Sequence, residues 1–214
     1  MDMQGEKMSE PNTVREIFSA DIRRAAHALT RAFRHEPIYQ YVFQDAERYQ
    51  RAAPLMFAIL VRWAMLYRTA WATPEFDGVI LCRPPGTYHP SPWTALRTGL
   101  VRFPFIFGTR AFKRLSAVLQ ILESKHDEIM GNRPHWYGQN IGVIPSRQRT
   151  GLASQLIEYA LGRMAQADPS CYLETGSEKN VRIYQRHGFE LSSEAVLPGK
   201  GLTLYFMTRL PEKS

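Results

Sequence analysis

A chain of 214 residues, 44% of them hydrophobic and with no internal repeat, carries enough apolar material for one large domain. The opening run MDMQGEKMSEPN has no apolar block, which argues against a secretory signal and leads to the expectation of a flexible tail over 1–12. The formal charge of +7 is spread along the chain without a basic block, so it leaves open a polyanionic small ligand, a nucleic acid, an anionic membrane surface or a merely solvated basic face.

TVREIF alternates weakly and reads as a first strand. From Asp21 to Phe33 the residues Ile22, Ala26, Leu29 and Phe33 recur at helical spacing, and His35-Glu36-Pro37 breaks that helix. A second helix is expected from about Asp45 to Tyr67. Its apolar run AAPLMFAILVRWAML contains Arg62 and falls short of the roughly 20 residues that a membrane-spanning helix needs, so it reads as a buried helix. RTAWATPE and GVILCRPP, joined at Phe76-Asp77-Gly78, read as an antiparallel hairpin. Only two cysteines occur, Cys82 and Cys171, in unrelated contexts. The simplest account is a reduced, cytoplasmic protein.

Residues 84–133 read as a helical insert. Leu115, Val118, Leu119 and Leu122 form one apolar stripe, and basic residues outnumber acidic ones. Such a segment either lies on a membrane surface or packs on its own sheet, and packing is the expectation. Beyond it, HWYGQNIGVI is a strand, TGLASQLIEYALGRM a helix, CYLET a strand and NVRIYQRH a helix. FELSSEAV and LTLYFMTRL form a closing hairpin around PGKG. This order implies a single α/β domain over 13–212, its sheet partly parallel and partly antiparallel, with helices on both faces.

The stretch PSRQRTGLA, residues 145–153, lies between a strand and a helix. A helix start offers unpaired N–H groups and the positive end of its dipole. Gly151 lets a ligand approach the backbone, Ala153 adds almost no bulk, and Arg147 and Arg149 add charge. Together these make an anion site suited to a phosphate or pyrophosphate. Neither GxxxxGK[ST] nor GxGxxG is present, so it is neither a Walker loop nor a Rossmann fingerprint.

Gln148-x-x-Gly151-x-Ala153 resembles the Q/R-x-x-G-x-G/A signature of the GNAT acetyltransferase superfamily. The preceding Gly142-Val143-Ile144-Pro145 is similar to its strand end. Leu173-Glu174-Thr175, Asn180, Tyr184 and Gly188-Phe189 follow in the family's order. Over roughly 135–210 the likeness is strongest to the puromycin N-acetyltransferase branch, including the closing P-G…MTR. AFRHEP is similar to that branch's first helix end, with Glu36 where an Asp is usual. Residues 84–133 match no motif.

The resemblance implies a GNAT fold: a mixed, mostly antiparallel sheet splayed at the cofactor site, where a bulge parts two strands. It implies acetyl-CoA as acyl donor. Pantetheine would lie against Ile141, Gly142, Val143 and Ile144. The amides of Gln148, Arg149, Thr150, Gly151, Leu152, Ala153 and Ser154 would hold the pyrophosphate, and Asn180 would lie beside the cofactor. Tyr184 matches the family's general acid, and a backbone N–H near 141–143 would polarise the thioester carbonyl. For the base, strand alternation puts His135, Tyr137 and Gln139 on one face, and His135 has a suitable intrinsic pKa or is a solvated strand-end histidine. Glu174 acts through water or is a structural carboxylate. Glu36, Tyr39 and Tyr41, in the loop after the first helix, are candidates for acceptor binding, along with Tyr137 and Gln139.

The expected activity is acetyl transfer to a small-molecule amine by direct attack in a ternary complex. The alternatives are a protein lysine or N-terminal acceptor, and a non-catalytic acyl-CoA-binding module. Tyr184 favours an enzyme, and the bulky insert favours a small, enclosed substrate. No metal is expected, because the histidines show no HxxxH or HExxH spacing. No nucleic-acid module is visible, a membrane partner is not expected, and the protein is taken as a monomer or homodimer.

Overall fold

The structure, a computed structural model, describes residues 14–165, 170–197 and 201–211. The tail expected over 1–12 and most of the PGKG turn lie outside them. Helix α1 spans Ile22–Ala32, α2 Pro37–Phe43 and α3 Ala46–Met65. Strand β1 is Arg15–Glu16, β2 Ala70–Ala72 and β3 Gly78–Arg83. The insert forms α4, Pro92–Thr98, and α5, Phe103–Met130. β4 (Trp136–Val143), α6 (Leu152–Met164), β5 (Cys171–Thr175), α7 (Glu178–Gln185), β6 (Glu190–Leu197) and β7 (Leu202–Arg209) complete the order.

The seven strands make one sheet in the order β1-β2-β3-β4-β5-β7-β6, antiparallel except for the parallel pair β4–β5. This is the mixed, mostly antiparallel α/β architecture expected of a GNAT fold. One face packs against α1, α2, α3 and α5, around Leu29, Phe57, Phe107, Val118 and Tyr172. The other packs against α6 and α7, around Leu156, Ile157, Ala160 and Val181. Both cysteines are buried free thiols on this second side.

Two elements differ from the sequence reading. The first strand is only two residues long. Where a loop is expected after the first helix, α2 forms, because His35-Glu36-Pro37 starts a helix as well as ending one. The Glu36 side chain accepts from the Ile38 amide at 2.8 Å and so caps α2, while Pro37 takes the first turn, where its missing N–H costs nothing. Gln44, at φ 55°, closes the helix in the left-handed region. The insert is helical as expected, and Gly108 breaks the path of α5 at φ 66°, ψ 166°.

Candidate active site

Strands β4 and β5 begin paired and then part. Trp136, Tyr137 and Gly138 lie in register with Cys171, Tyr172 and Leu173, and pairing stops there. A bulge on β4 accompanies the break. Leu81 of β3 pairs with Asn140 and Cys82 with Gly138, so Gln139 is the extra residue. The extra residue reverses the alternation. Tyr137 faces the α1/α3 side before the bulge, and Gly142 does so after it, where an added Cβ would lie 2.9 Å from Ala32 and Phe33 of α1. The alternation by which His135, Tyr137 and Gln139 are expected on one face therefore does not continue past Gln139. Beyond Gly138 the β4 backbone has no β5 partner, which leaves the wedge-shaped gap that the resemblance implies.

The gap leads to the start of α6. Gly151 sits there at φ 86°, a left-handed conformation that glycine adopts without strain, and a Cβ at this position would meet nothing within 4 Å. Open space above unpaired amides suits a pyrophosphate, so the residues present fit the cofactor expected. Around it Gln148 Nε2 donates to the Val143 carbonyl at 3.2 Å, and Thr150 Oγ1 donates to the Arg147 carbonyl at 2.6 Å. Ser154 Oγ lies 3.1 Å from His187 Nε2. Leu152 turns into the core below, with Ala153 packed beside it. Arg147 is not an unpaired arginine: its Nε lies 3.2 Å from Asp77 Oδ2 and ties the loop to the β2–β3 turn. Arg149, exposed and at φ 64°, forms no ion pair among the described residues.

A cavity of about 370 Å³ opens from this gap toward the insert. Tyr184 and Asn180, one turn apart on α7, line it together with Ile141, Gly138 and Thr175. Asn180 Nδ2 donates to Thr175 Oγ1 at 3.0 Å, which ties α7 to the end of β5. Tyr184 is buried, and burial with the nearby Glu36 charge pushes its phenol above the usual range, so it holds its proton at neutral pH. Its hydroxyl makes no hydrogen bond among the described residues and remains available as a donor.

Glu36 also lines the cavity, bridging the first turn of α2 and the end of β5. Its Oε2 accepts from Ile38 and its Oε1 from the Gly176 amide at 3.3 Å. A Cβ on Gly176 would lie 3.0 Å from that Oε1, so the approach requires glycine. Burial raises the Glu36 carboxyl to about 7, against the backbone hydrogen bonds that lower it. Next to it, Asn140 Nδ2 donates to the Tyr39 hydroxyl at 3.3 Å. The buried side-chain oxygens of Gln139 and Asn140 accept nothing among the described residues.

Glu174 takes a different part. Tyr137 donates to its Oε2 at 2.6 Å and Tyr88 to its Oε1 at 3.1 Å. Burial raises its pKa, and the phenols of Tyr137, Tyr88 and Tyr172 together with Arg83 work against that rise. Arg83 is buried with its guanidinium over the rings of Trp63 (3.9 Å) and Tyr137 (4.5 Å) and donates to the Tyr88 carbonyl at 2.6 Å. With both carboxylate oxygens engaged by phenols, Glu174 holds Tyr88 and Tyr137 in place. His135 is not among the residues lining the cavity. It is buried before β4, with Nδ1 2.7 Å from the Arg133 carbonyl and Nε2 3.0 Å from His126 Nε2. Of the acceptor candidates, Glu36, Tyr39, Tyr137 and Gln139 meet in the cavity. Tyr41 instead lines an open groove between α2 and the start of β7.

The far wall of the cavity is the insert. The stripe Leu115, Val118, Leu119 and Leu122 packs inward, as expected, but part of what it faces is the cavity. Trp63, Arg83, Tyr88 and Asn140 are site residues that no motif marks. Folding also brings His89, His126 and Asp127 together, with ligand-type atoms within 4.8 Å of one another. Chain spacing cannot reveal such a cluster, because its members come from two separate segments.

Comparison with known proteins agrees with this geometry. The family model described as the acetyltransferase (GNAT) domain matches residues 116–191. An uncharacterised N-acetyltransferase of Schizosaccharomyces pombe is 25% identical over 203 residues, 92% of this chain and 82% of that protein. The solved structure of histone acetyltransferase HPA2 and related acetyltransferase from Corynebacterium glutamicum superposes with a TM-score of 0.68 at 20% identity, over 94% of this chain and 97% of that one. Arylalkylamine N-acetyltransferase 2 of Aedes aegypti does so with a TM-score of 0.68 at 15% identity, over 92% and 98%. Over residues 116–191 the chain matches the GNAT acetyltransferase domain in sequence pattern, and across nearly its whole length its fold is similar to that of solved acetyltransferases.

Proposed function

We propose that the protein transfers the acetyl group of acetyl-CoA to the amine of a small molecule with an apolar body, by direct attack in a ternary complex. One observation carries this reading. A single cavity holds a carboxylate near neutrality and two buried acceptor oxygens without donors, beside a protonated phenol at the mouth of the strand gap. An amine supplies the donors that Gln139 and Asn140 lack, and leaving such groups unpaired is costly. Acetyl-CoA supplies an activated acyl group. Gly151 and the neighbouring amides would hold its pyrophosphate, and the edge of β4 that faces the gap, within 141–144, its pantetheine.

Glu36 takes the proton of the attacking amine, in place of His135, which lies outside the cavity. A base poised near the working pH is the most efficient. Tyr184 gives its proton to the departing thiolate. The transfer is uphill, since an unperturbed phenol at about 10 already exceeds a thiol at about 8.5 and burial raises Tyr184 further, so the proton moves as charge builds on the sulfur in the same buried site. An amide of β4 past the bulge polarises the carbonyl. The apolar wall of α5 receives the body of the acceptor. The arylalkylamine enzyme of similar fold is consistent with such an acceptor.

A second reading, a protein lysine or N-terminal acceptor, is favoured only by the open groove lined by Pro37, Gln40, Tyr41 and Glu178 beside the cavity. Release of free thiol from acetyl-CoA, measured against pools of small amines and of peptides, tests both. Turnover with small amines supports the proposal, turnover with peptides alone moves the acceptor to the groove, and none with either pool refutes both.

A further inference from the structure

We propose that the outer face of the insert is a docking surface for an anionic lipid leaflet. The inward stripe of α5 is spent on the cavity, yet the segment before it carries a second apolar face that nothing covers. Trp93 is 66% exposed, Leu96 61%, Val101 52% and Phe105 87%. Exposed large apolar side chains scattered singly are ordinary, whereas four within thirteen residues form a concentration that marks an interaction surface.

The charges within the segment itself have one sign. From Gly78 to Leu122 the chain contains no Asp or Glu, while Arg97, Arg102, Arg110 and Lys113 are exposed. Arg48 and Arg51 of α3 join Arg102, Leu55 and Phe105 around one surface groove. Among the described residues Arg48, Arg97 and Arg102 form no ion pair, and Arg51 makes only an exposed one with Glu47 at 3.6 Å. Exposed aromatic and aliphatic side chains interspersed along the chain with arginines are the composition of an interfacial segment. The apolar groups enter the headgroup boundary and the cations meet lipid phosphate.

The alternatives fit less well. A two-fold contact between copies would set this arginine cluster close to itself, and like charges oppose that. Single-stranded nucleic acid would use the aromatic rings for stacking but leave Leu55, Leu96 and Val101 with no partner. No described helix is long and apolar enough to cross a membrane, so the contact is peripheral. The proposal is independent of acetyl transfer.

Sedimentation of the full chain with vesicles tests it, comparing phosphatidylcholine alone with phosphatidylcholine mixed with phosphatidylserine. The expected result is binding to the anionic vesicles at low ionic strength and release at high salt. In the double variant Trp93→Ser/Phe105→Ser, shown to be folded by its melting curve, partition should fall about ten-fold or more. Arg97→Gln/Arg102→Gln should weaken binding to the anionic vesicles. Absence of binding to anionic vesicles, equal partition into both types, or unchanged partition of the folded Trp93/Phe105 variant would each overturn the proposal. So would loss of self-association in that variant when the parent ignores vesicles, since the face would then be a contact between copies.

Discussion

Tyr184 and Glu36 face one cavity, the buried phenol holding its proton and the carboxyl raised to about 7. Replacing Tyr184 by Phe keeps the ring and removes only the donor. Turnover should fall by about 10²–10⁴-fold with acetyl-CoA affinity nearly unchanged, because the bond to sulfur exists mainly in the transition state. Single-turnover kinetics alongside a binding titration separate the two, and near-native turnover would return Tyr184 to a packing role. Glu36 makes a pH prediction. Its carboxyl is raised to about 7, and only the ionised form accepts a proton, so kcat/KM should rise with pH through about 7. In Glu36→Gln turnover should drop by a similar factor, and the inflection near 7 should disappear from what remains. An unchanged inflection would assign it to another group.

The loop into α6 carries the next expectation. Gly151→Asp places a carboxylate in the open space above the helix start, where a phosphate of the cofactor would otherwise sit. The substitution should abolish acetyl-CoA binding, read by calorimetry, while the fold survives, since a Cβ there meets nothing within 4 Å. The added strain of a left-handed non-glycine residue costs roughly 1–2 kcal/mol. Normal cofactor binding by the folded variant would put the phosphate site elsewhere. The neighbouring ion pair Arg147–Asp77 has a different function. It holds the loop against the β2–β3 turn together with the bond from the Ile144 amide to the Asp77 carbonyl at 2.8 Å.

At the scale of the molecule, the two faces of the sheet divide the work. In the proposed reading α6 and α7 frame the cofactor side, and α1, α2, α3 and α5 enclose the acceptor side, with Tyr184 of α7 between them. Acetyl-CoA should therefore stabilise the whole chain against heat. At a hundred times its dissociation constant the gain is about 2.7 kcal/mol, measurable as a rise in Tm. Adenosine diphosphate should produce a smaller rise, because it fills only the α6 end of the site. No shift at saturating acetyl-CoA would remove the cofactor assignment.

The last third of the chain is legible in the sequence. The candidates Gly151, Gln148, Asn180 and Tyr184 are marked by local conformation and fixed spacing, and both are written in consecutive residues. The helices of α1, α3 and α6 followed from apolar periodicity for the same reason. The α2 helix was not legible, because Glu36-Pro37 reads equally as a stop and as a start, and the choice came from the Glu36 side chain reaching both Ile38 and Gly176. Nor was the bulge at Gln139, which depends on how β4 pairs with β3. Burial and neighbours decide which carboxylate is poised near neutrality and which is held by two tyrosines, so Glu36 and Glu174 could not be told apart by position in the chain. The cavity between Tyr184 and the α5 stripe joins residues more than sixty positions apart, and only tertiary packing sets such a distance.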